Sequence, residues 1–304
     1  MKKLGNKKDG SVWEVCAIAK GRISMAGLRA VKKVVSGKNT VDGAGVRLVR
    51  VFGNPEGEEF DPFLMLDAFD STDPNDYIKG FPWHPHRGIE TITYLIQGGI
   101  EHGDSLGNKG TILSGDCQWM TAGSGIIHQE MPKASQRLFG VQLWLNMPAA
   151  DKMAPPKYRD IRRKAIPVIR DGGAAVHILA GKYKEVRGAV EGDYVKPVFF
   201  DVELMAGKEW SLETDPEHNL FLYILQGEGY FDPEQKEAIP AKHAVLFHAG
   251  KWFWAKAAES GIRFLLLAGK PLREPVAWSG SIVMNTEEEL ETAFQEMNQN
   301  TFIK

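Results

Sequence analysis

The sequence predicts an all-β protein: two sandwich or jelly-roll domains in tandem, closed by a helix at the C-terminus. Three observations carry this. Short apolar runs alternate with turn residues along the whole chain, and the high counts of 32 Gly and 16 Pro supply the punctuation. The text of the first half recurs weakly in the second at an almost constant offset. Only the last stretch has the 3.6-residue period of an amphipathic helix.

The first half opens its strand rhythm with "RLVRVFG" (47–53), which alternates and stops at glycine, and "FDPFLMLDAFD" (60–70), bounded by proline and aspartate. "GIETITYLIQGG" (88–99) is β-branched and aromatic and ends on two glycines. "KGTILSGD", "CQWMTAGSG" and "FGVQLWLNMP" continue the pattern to residue 148. Residues 146–160, "NMPAADKMAPPKYRD", are proline-rich and lack period-2 alternation, so they read as a linker. Strand text then returns in "AVHILAG", "VFFDVELMAG", "LFLYILQGEGYF", "HAVLFHAG" and "IRFLLLAG". "YLIQGGIEH" from Tyr94 resembles "YILQGEGYF" from Tyr223 at an offset of 129, and "LSGDCQWMTAG" resembles "IPAKHAVLFHAG" at 127. The expected division is an N-terminal domain over 29–150 and a C-terminal domain over 160–304. In the final segment Thr286 and Glu289 form a capping box. Leu290, Ala293, Phe294 and Met297 fall at i, i+3, i+4 and i+7, and Leu290, Phe294 and Met297 are the expected buried stripe.

Residues 1–28 stand apart. They are basic, weakly patterned and too interrupted by Glu14 for a signal peptide, so a disordered or loosely docked extension is expected, with Met25 as a candidate start. The net charge of −2 offers no electrostatic case for nucleic acid or an anionic membrane. No apolar run approaches the ~18 residues a spanning helix needs. Cys16 and Cys117 read as reduced thiols of a cytoplasmic protein, and a monomer is expected.

The chemistry concentrates in "HPHRGIETITYL" (84–95). Alternate residues of a strand face one side, so His84 and His86 point together. Glu90 has the same parity and is expected to line the same interior. About forty residues on, "GSGIIHQEMP" supplies a second alternating pair, His128 and Glu130. Three imidazoles and a carboxylate on two strands suit one first-row transition ion, with positions left for water or substrate. His102, in "EHGDSLGN", reads as an exposed turn, and His218, His243 and His248 form no pair. Transposing the two pairs by the repeat offsets lands on Glu213, Asp215, Ala255 and Ala257, so one loaded and one empty copy are expected. Trp83, Trp119 and Met120 are candidate apolar walls.

"FPWHPHRGIETITYL", "GDCQWMTAGSGIIHQEMP" and "VMNTEEELETAF" resemble the pirin family of the cupin superfamily, from about Arg29 to the C-terminus. The resemblance implies two jelly-roll cupin β-sandwich domains with metal in the first alone. It implies His84, His86, His128 and Glu130 as ligands, usually to iron as Fe(II). A general cupin would place its carboxylate at Glu90, which is left here as a residue supporting the ligands. The resemblance also implies one of two roles. The first is a quercetin 2,3-dioxygenase that opens a flavonol with O2 and releases carbon monoxide, with Glu130 as the catalytic base. The second is a redox-sensitive regulator that binds a protein partner, such as a transcription factor or a metabolic enzyme.

Overall fold

In a computed structural model, which describes residues 27–304, the chain forms three principal sheets and one α-helix. The extension, the candidate start at Met25 and Cys16 lie outside the described residues. A seven-stranded sheet is ordered Lys157–Ile161, Cys117–Thr121, Ile89–Gln97, Leu138–Asn146, Phe63–Ser71, Val46–Phe52, Lys38–Asp42. One face covers a smaller four-stranded sheet, ordered Phe81–His86, Ile126–Pro132, Gly99–Asp104, Lys109–Leu113. The other face packs on the nine-stranded sheet of the second half.

Strand alternation decides what each face of the central sheet carries. Ile92, Tyr94, Cys117, Trp119, Leu143 and Leu145 point towards the second half and join its Phe199, Phe221, Tyr223 and Leu265 in one apolar cluster. Tyr94 and Tyr223, equivalent in the sequence repeat, meet in this cluster. The Tyr94 hydroxyl also donates to Asp201 at 2.8 Å, and Asp201 is clasped by Arg263 at 3.0 and 2.7 Å. The two sandwiches therefore share a core and do not merely touch.

They also exchange segments. Val31–Val35, expected in the first domain, pairs with Ala244–Phe247 at the margin of the nine-stranded sheet. Arg29 anchors the exchange: its guanidinium donates to Thr214 Oγ1 and to the carbonyls of Asp215, His218 and His248. Conversely, the hairpin Ala277–Ser279/Ile282–Met284 and the helix Glu287–Asn298 lie on the first half. They cluster around Leu290, Ala293 and Phe302, with Ile127 of the small sheet packed against them.

The capping box at Thr286 and Glu289 forms as the sequence predicts. The buried stripe differs. Leu290 and Ala293 are buried and Met297 half-buried, whereas Phe294 is exposed. The buried side of the helix thus runs through Leu290, Ala293 and Met297, and Phe294 lies off it.

The second sandwich is filled by aromatic packing. Phe200, Trp210, Phe231, Phe247, Phe253 and Phe264 occupy its interior, together with Ala255 and Ala257. Glu213 and Asp215 lie at its exposed margin. No helix is long and apolar enough to cross a membrane, among the described residues.

Candidate metal centre

The small sheet presents its polar residues inward. His84 is paired across the strands with His128, and His128 with Asp104; Glu130 is paired with His102. All of these therefore face the central sheet. His84, His86 and His128 bring their nearest ring nitrogens within 4.8 Å of one another, and among the described residues they form the one such group of three or more His, Cys, Asp or Glu.

Their hydrogen bonds set the tautomers. His84 Nδ1 donates to the Pro82 carbonyl at 2.8 Å, and His86 Nδ1 to the Ser281 carbonyl at 3.1 Å. Both Nε2 atoms are then lone pairs. They lie only 3.0 Å apart. Two facing lone pairs at that distance repel unless a cation attracts both. His128 is fully buried, and neither of its ring nitrogens has a protein partner. Burial, and then the neighbouring His84, pushes His86 down to about 3. His128 is held well below the ordinary range by burial, then by His86, His84 and His102. Neutral imidazoles with unsatisfied lone pairs fit a divalent transition ion. Trp144 packs edge-on to His86 at 5.1 Å, giving the site an apolar wall with Met120 and Ile126.

Glu130 lies beside the three histidines on the strand of His128, outside their close group. Its Oε1 accepts from Thr93 Oγ1 at 3.0 Å and from Gln118 Nε2 at 3.3 Å, and its Oε2 from Gln142 Nε2 at 2.6 Å. All three donors come from the facing side of the central sheet. With a single donor, Oε2 keeps lone-pair capacity for a cation.

Three expectations need correction. Glu90 does not share the interior of the histidines. It has the parity of Ile92 and Tyr94, accepts from Thr121 Oγ1 at 2.6 Å and faces the second domain. The parity carried from His86 fails because Arg87 and Gly88 lie between two strands of different sheets. Gly88 adopts φ +75°, and a Cβ there would come 1.9 Å from the Val283 carbonyl oxygen. Burial raises the Glu90 carboxyl above its usual range.

His102 is not in an exposed turn. It lies on the strand Gly99–Asp104, its side chain fully buried and stacked on Tyr158 at 4.1 Å, with its ring centre 5.4 Å from that of His128. The spacing His102-x-Asp104 repeats that of the pairs His84/His86 and His128/Glu130 and was the available signal. Of the candidate walls, only Met120 belongs to the site: Trp119 points into the interdomain core, and Trp83 is 55% exposed.

The C-terminal segment supports the strand of His84 and His86, which sequence reasoning missed. Besides the Ser281 carbonyl on His86, Ser281 Oγ donates to the Pro85 carbonyl at 2.5 Å. Arg87, fully buried, donates to Glu296 at 2.7 Å and to the Phe302 carbonyl at 3.0 Å, and lies over the Phe302 ring at 4.3 Å. The buried Lys152 ammonium ties Gly88 to Val283 and Asn146 through oxygens at 2.8, 3.1 and 2.7 Å.

Two β-sandwiches packed sheet against sheet, with a histidine cluster inside the first, define a bicupin. The Pirin model matches residues 45–145, and that of the Pirin C-terminal cupin domain matches 199–303. The chain belongs to the pirin family. It is 43% identical over 279 residues to a Pseudomonas aeruginosa protein named "putative quercetin 2,3-dioxygenase", covering 90% of this chain and 97% of the relative. It is 42% identical over 278 residues to a pirin-like protein of Caulobacter vibrioides, covering 90% and 99%. The crystal structure of a quercetin 2,3-dioxygenase from Acinetobacter baumannii superposes with a TM-score of 0.81 at 31% identity, over 90% of this chain and 98% of that one.

Proposed function

We propose that the chain is a metal-dependent dioxygenase of the quercetin 2,3-dioxygenase type, with iron(II) held by His84, His86, His128 and Glu130. The observation that carries this reading is the pair of Nε2 lone pairs 3.0 Å apart beside the unpartnered His128 ring. The names borne by its relatives supply the substrate class, a flavonol, with O2 as co-substrate.

The protein's part follows from the residues. His84 is the least buried of the three histidines, so a ligand enters on its side. Trp144, Met120 and Ile126 offer an apolar surface to a flat aromatic ring. A bound divalent ion would act as a Lewis acid, lowering the pKa of a coordinated hydroxyl and orienting its oxygen. Glu130 is the carboxylate placed to accept the proton of the flavonol 3-hydroxyl. Thr93, Gln118 and Gln142 fix its orientation for that task.

The test is an aerobic assay of iron-reconstituted protein with quercetin. Loss of flavonol absorbance and release of carbon monoxide, both abolished in His128→Ala, are expected. Stoichiometric iron with no flavonol consumption would overturn the reading.

A further inference from the structure

The inner face of the site carries acceptors that a metal ion does not satisfy. His102 Nε2 and Asp104 Oδ2 are 3.1 Å apart. Asp104 also accepts from Leu106 N, Asn108 N and Asn108 Nδ2 at 2.9 to 3.0 Å, so its oxygens are surrounded by donors. A carboxylate in that setting only accepts, so Nε2 bears the hydrogen, and in the neutral tautomer Nδ1 is the lone pair. That Nδ1 is buried without a protein partner. The ring cannot turn to find one, because it is stacked on Tyr158, whose hydroxyl is itself fixed by Asp160 at 2.5 Å. Gly110 makes room for this pair: a Cβ there would lie 3.2 Å from the Tyr158 hydroxyl and 3.1 Å from Asp160.

Gln118 shows the same demand. Its Nε2 is committed to Glu130, which fixes the amide, and its Oε1 is buried without a partner. His102 pairs across the strands with Glu130, and Gln118 bonds to Glu130 from the central sheet, so the two orphan acceptors border one carboxylate. A buried acceptor left unpaired forfeits the hydrogen bond it would make to water. The partner that removes the cost must bring a proton of its own.

We propose that His102, oriented by Asp104 and accompanied by Gln118, is a specificity-determining hydrogen-bond acceptor that selects ligands bearing hydroxyl groups beyond the one at the metal. The role deepens the flavonol reading and rests on it. It differs from the task given to Glu130: His102 reads the periphery of the ligand, where a ring hydroxyl donates to Nδ1. A ligand lacking that hydroxyl leaves the acceptor buried and unpaired, and is disfavoured.

Equilibrium binding to the zinc-loaded protein, where no turnover intervenes, tests this. Two probes are compared: quercetin, and 3-hydroxyflavone, which retains the metal-directed hydroxyl alone. Wild type should bind quercetin about tenfold more tightly, the worth of roughly one buried hydrogen bond. Two substitutions separate the ring nitrogens. In His102→Asn the side-chain oxygen stands near the place of Nδ1 and the bond to Asp104 is lost; the preference for quercetin should survive. In His102→Gln the longer amide keeps Asp104 and loses the inner acceptor; the ratio of the two affinities, both read on the same zinc-loaded sample, should collapse towards one. A purely structural dyad predicts the opposite order and would overturn the assignment, as would equal loss for both probes. His102→Phe, which keeps the stacking on Tyr158, repeats the second test should either amide variant fail to fold. Failure of wild type to bind either flavonol would overturn the underlying reading of the substrate.

Discussion

The clamp that the C-terminal tail places on Arg87 makes a prediction in which stability and metal affinity can be separated. Phe302 is 3% exposed and stacks on the buried Arg87 guanidinium, one residue after His86. Phe302→Ala removes a buried aromatic ring, which costs about 3–5 kcal/mol when the cavity does not collapse. The tail is terminal and can relax, so the lower end applies, about 3 kcal/mol. At about 2 °C per kcal/mol for a large chain, Tm should fall by about 6 °C. A second effect should accompany it. Arg87 gives its backbone carbonyl to Val283 N at 3.1 Å, and Ser281 of the same hairpin fixes the His86 tautomer. Loosening the tail therefore loosens the orienting partner of a proposed ligand, and such changes typically weaken metal affinity by about 10–100-fold. The assay is thermal unfolding of the metal-free protein alongside a chelator-competition titration with zinc. The decisive result against this reasoning is a Tm that falls as calculated with zinc affinity equal to wild type. The tail would then stabilise the fold without positioning His86.

Other perturbations address the remaining contacts. His84→Ala and His128→Ala should each reduce metal to well below one per chain by elemental analysis; stoichiometric metal in both would refute the ligand set. Glu130→Gln should weaken metal binding, whereas Glu90→Gln should leave it unchanged, because Glu90 faces the other domain; titration of both variants decides, and the reverse order would restore Glu90 to the site. Burial lowers Lys152 from its ordinary 10.5 to about 8. The unfolded chain therefore binds more protons between those values, and the contribution of Lys152 to stability rises with pH from about 8 to 10.5, by up to roughly 3 kcal/mol. Lys152→Met should remove that slope in denaturant titrations; an unchanged slope would show that the three oxygens around the ammonium offset its burial. A fragment ending at Arg159 should be poorly soluble despite carrying all four proposed ligands, since it exposes the face of Ile92, Trp119 and Leu143; a soluble, monomeric, metal-binding fragment would show that the shared core is dispensable.

Much of this protein is set by local sequence. Period-2 runs between glycines and prolines place the strands, because a pleated strand with one buried face needs that alternation. The pairs His84/His86 and His128/Glu130 are legible because, within a single unbroken strand, parity fixes the face. The capping box at Thr286 is likewise local, complete within four residues. Where the chain leaves one strand for another sheet, parity carries no information. Glu90 is turned to the far side by Arg87 and Gly88, and the same break hides the fact that Thr93, Gln118 and Gln142, not Glu90, serve the carboxylate of Glu130. Only the tertiary structure could decide contacts made across long separations. The exchange of Val31–Val35 for the C-terminal hairpin and helix, the Ser281 carbonyl on His86 and the Phe302 ring on Arg87 join residues about 200 positions apart. No periodicity records such pairings, because they depend on which surfaces remain uncovered once both sandwiches have formed. His102 shows both sides of this division. Its spacing to Asp104 could be read from the sequence, but its burial could not: that depends on Tyr158, inside the stretch expected as a linker, whose end forms the strand Lys157–Ile161 and covers His102 from the opposite sheet.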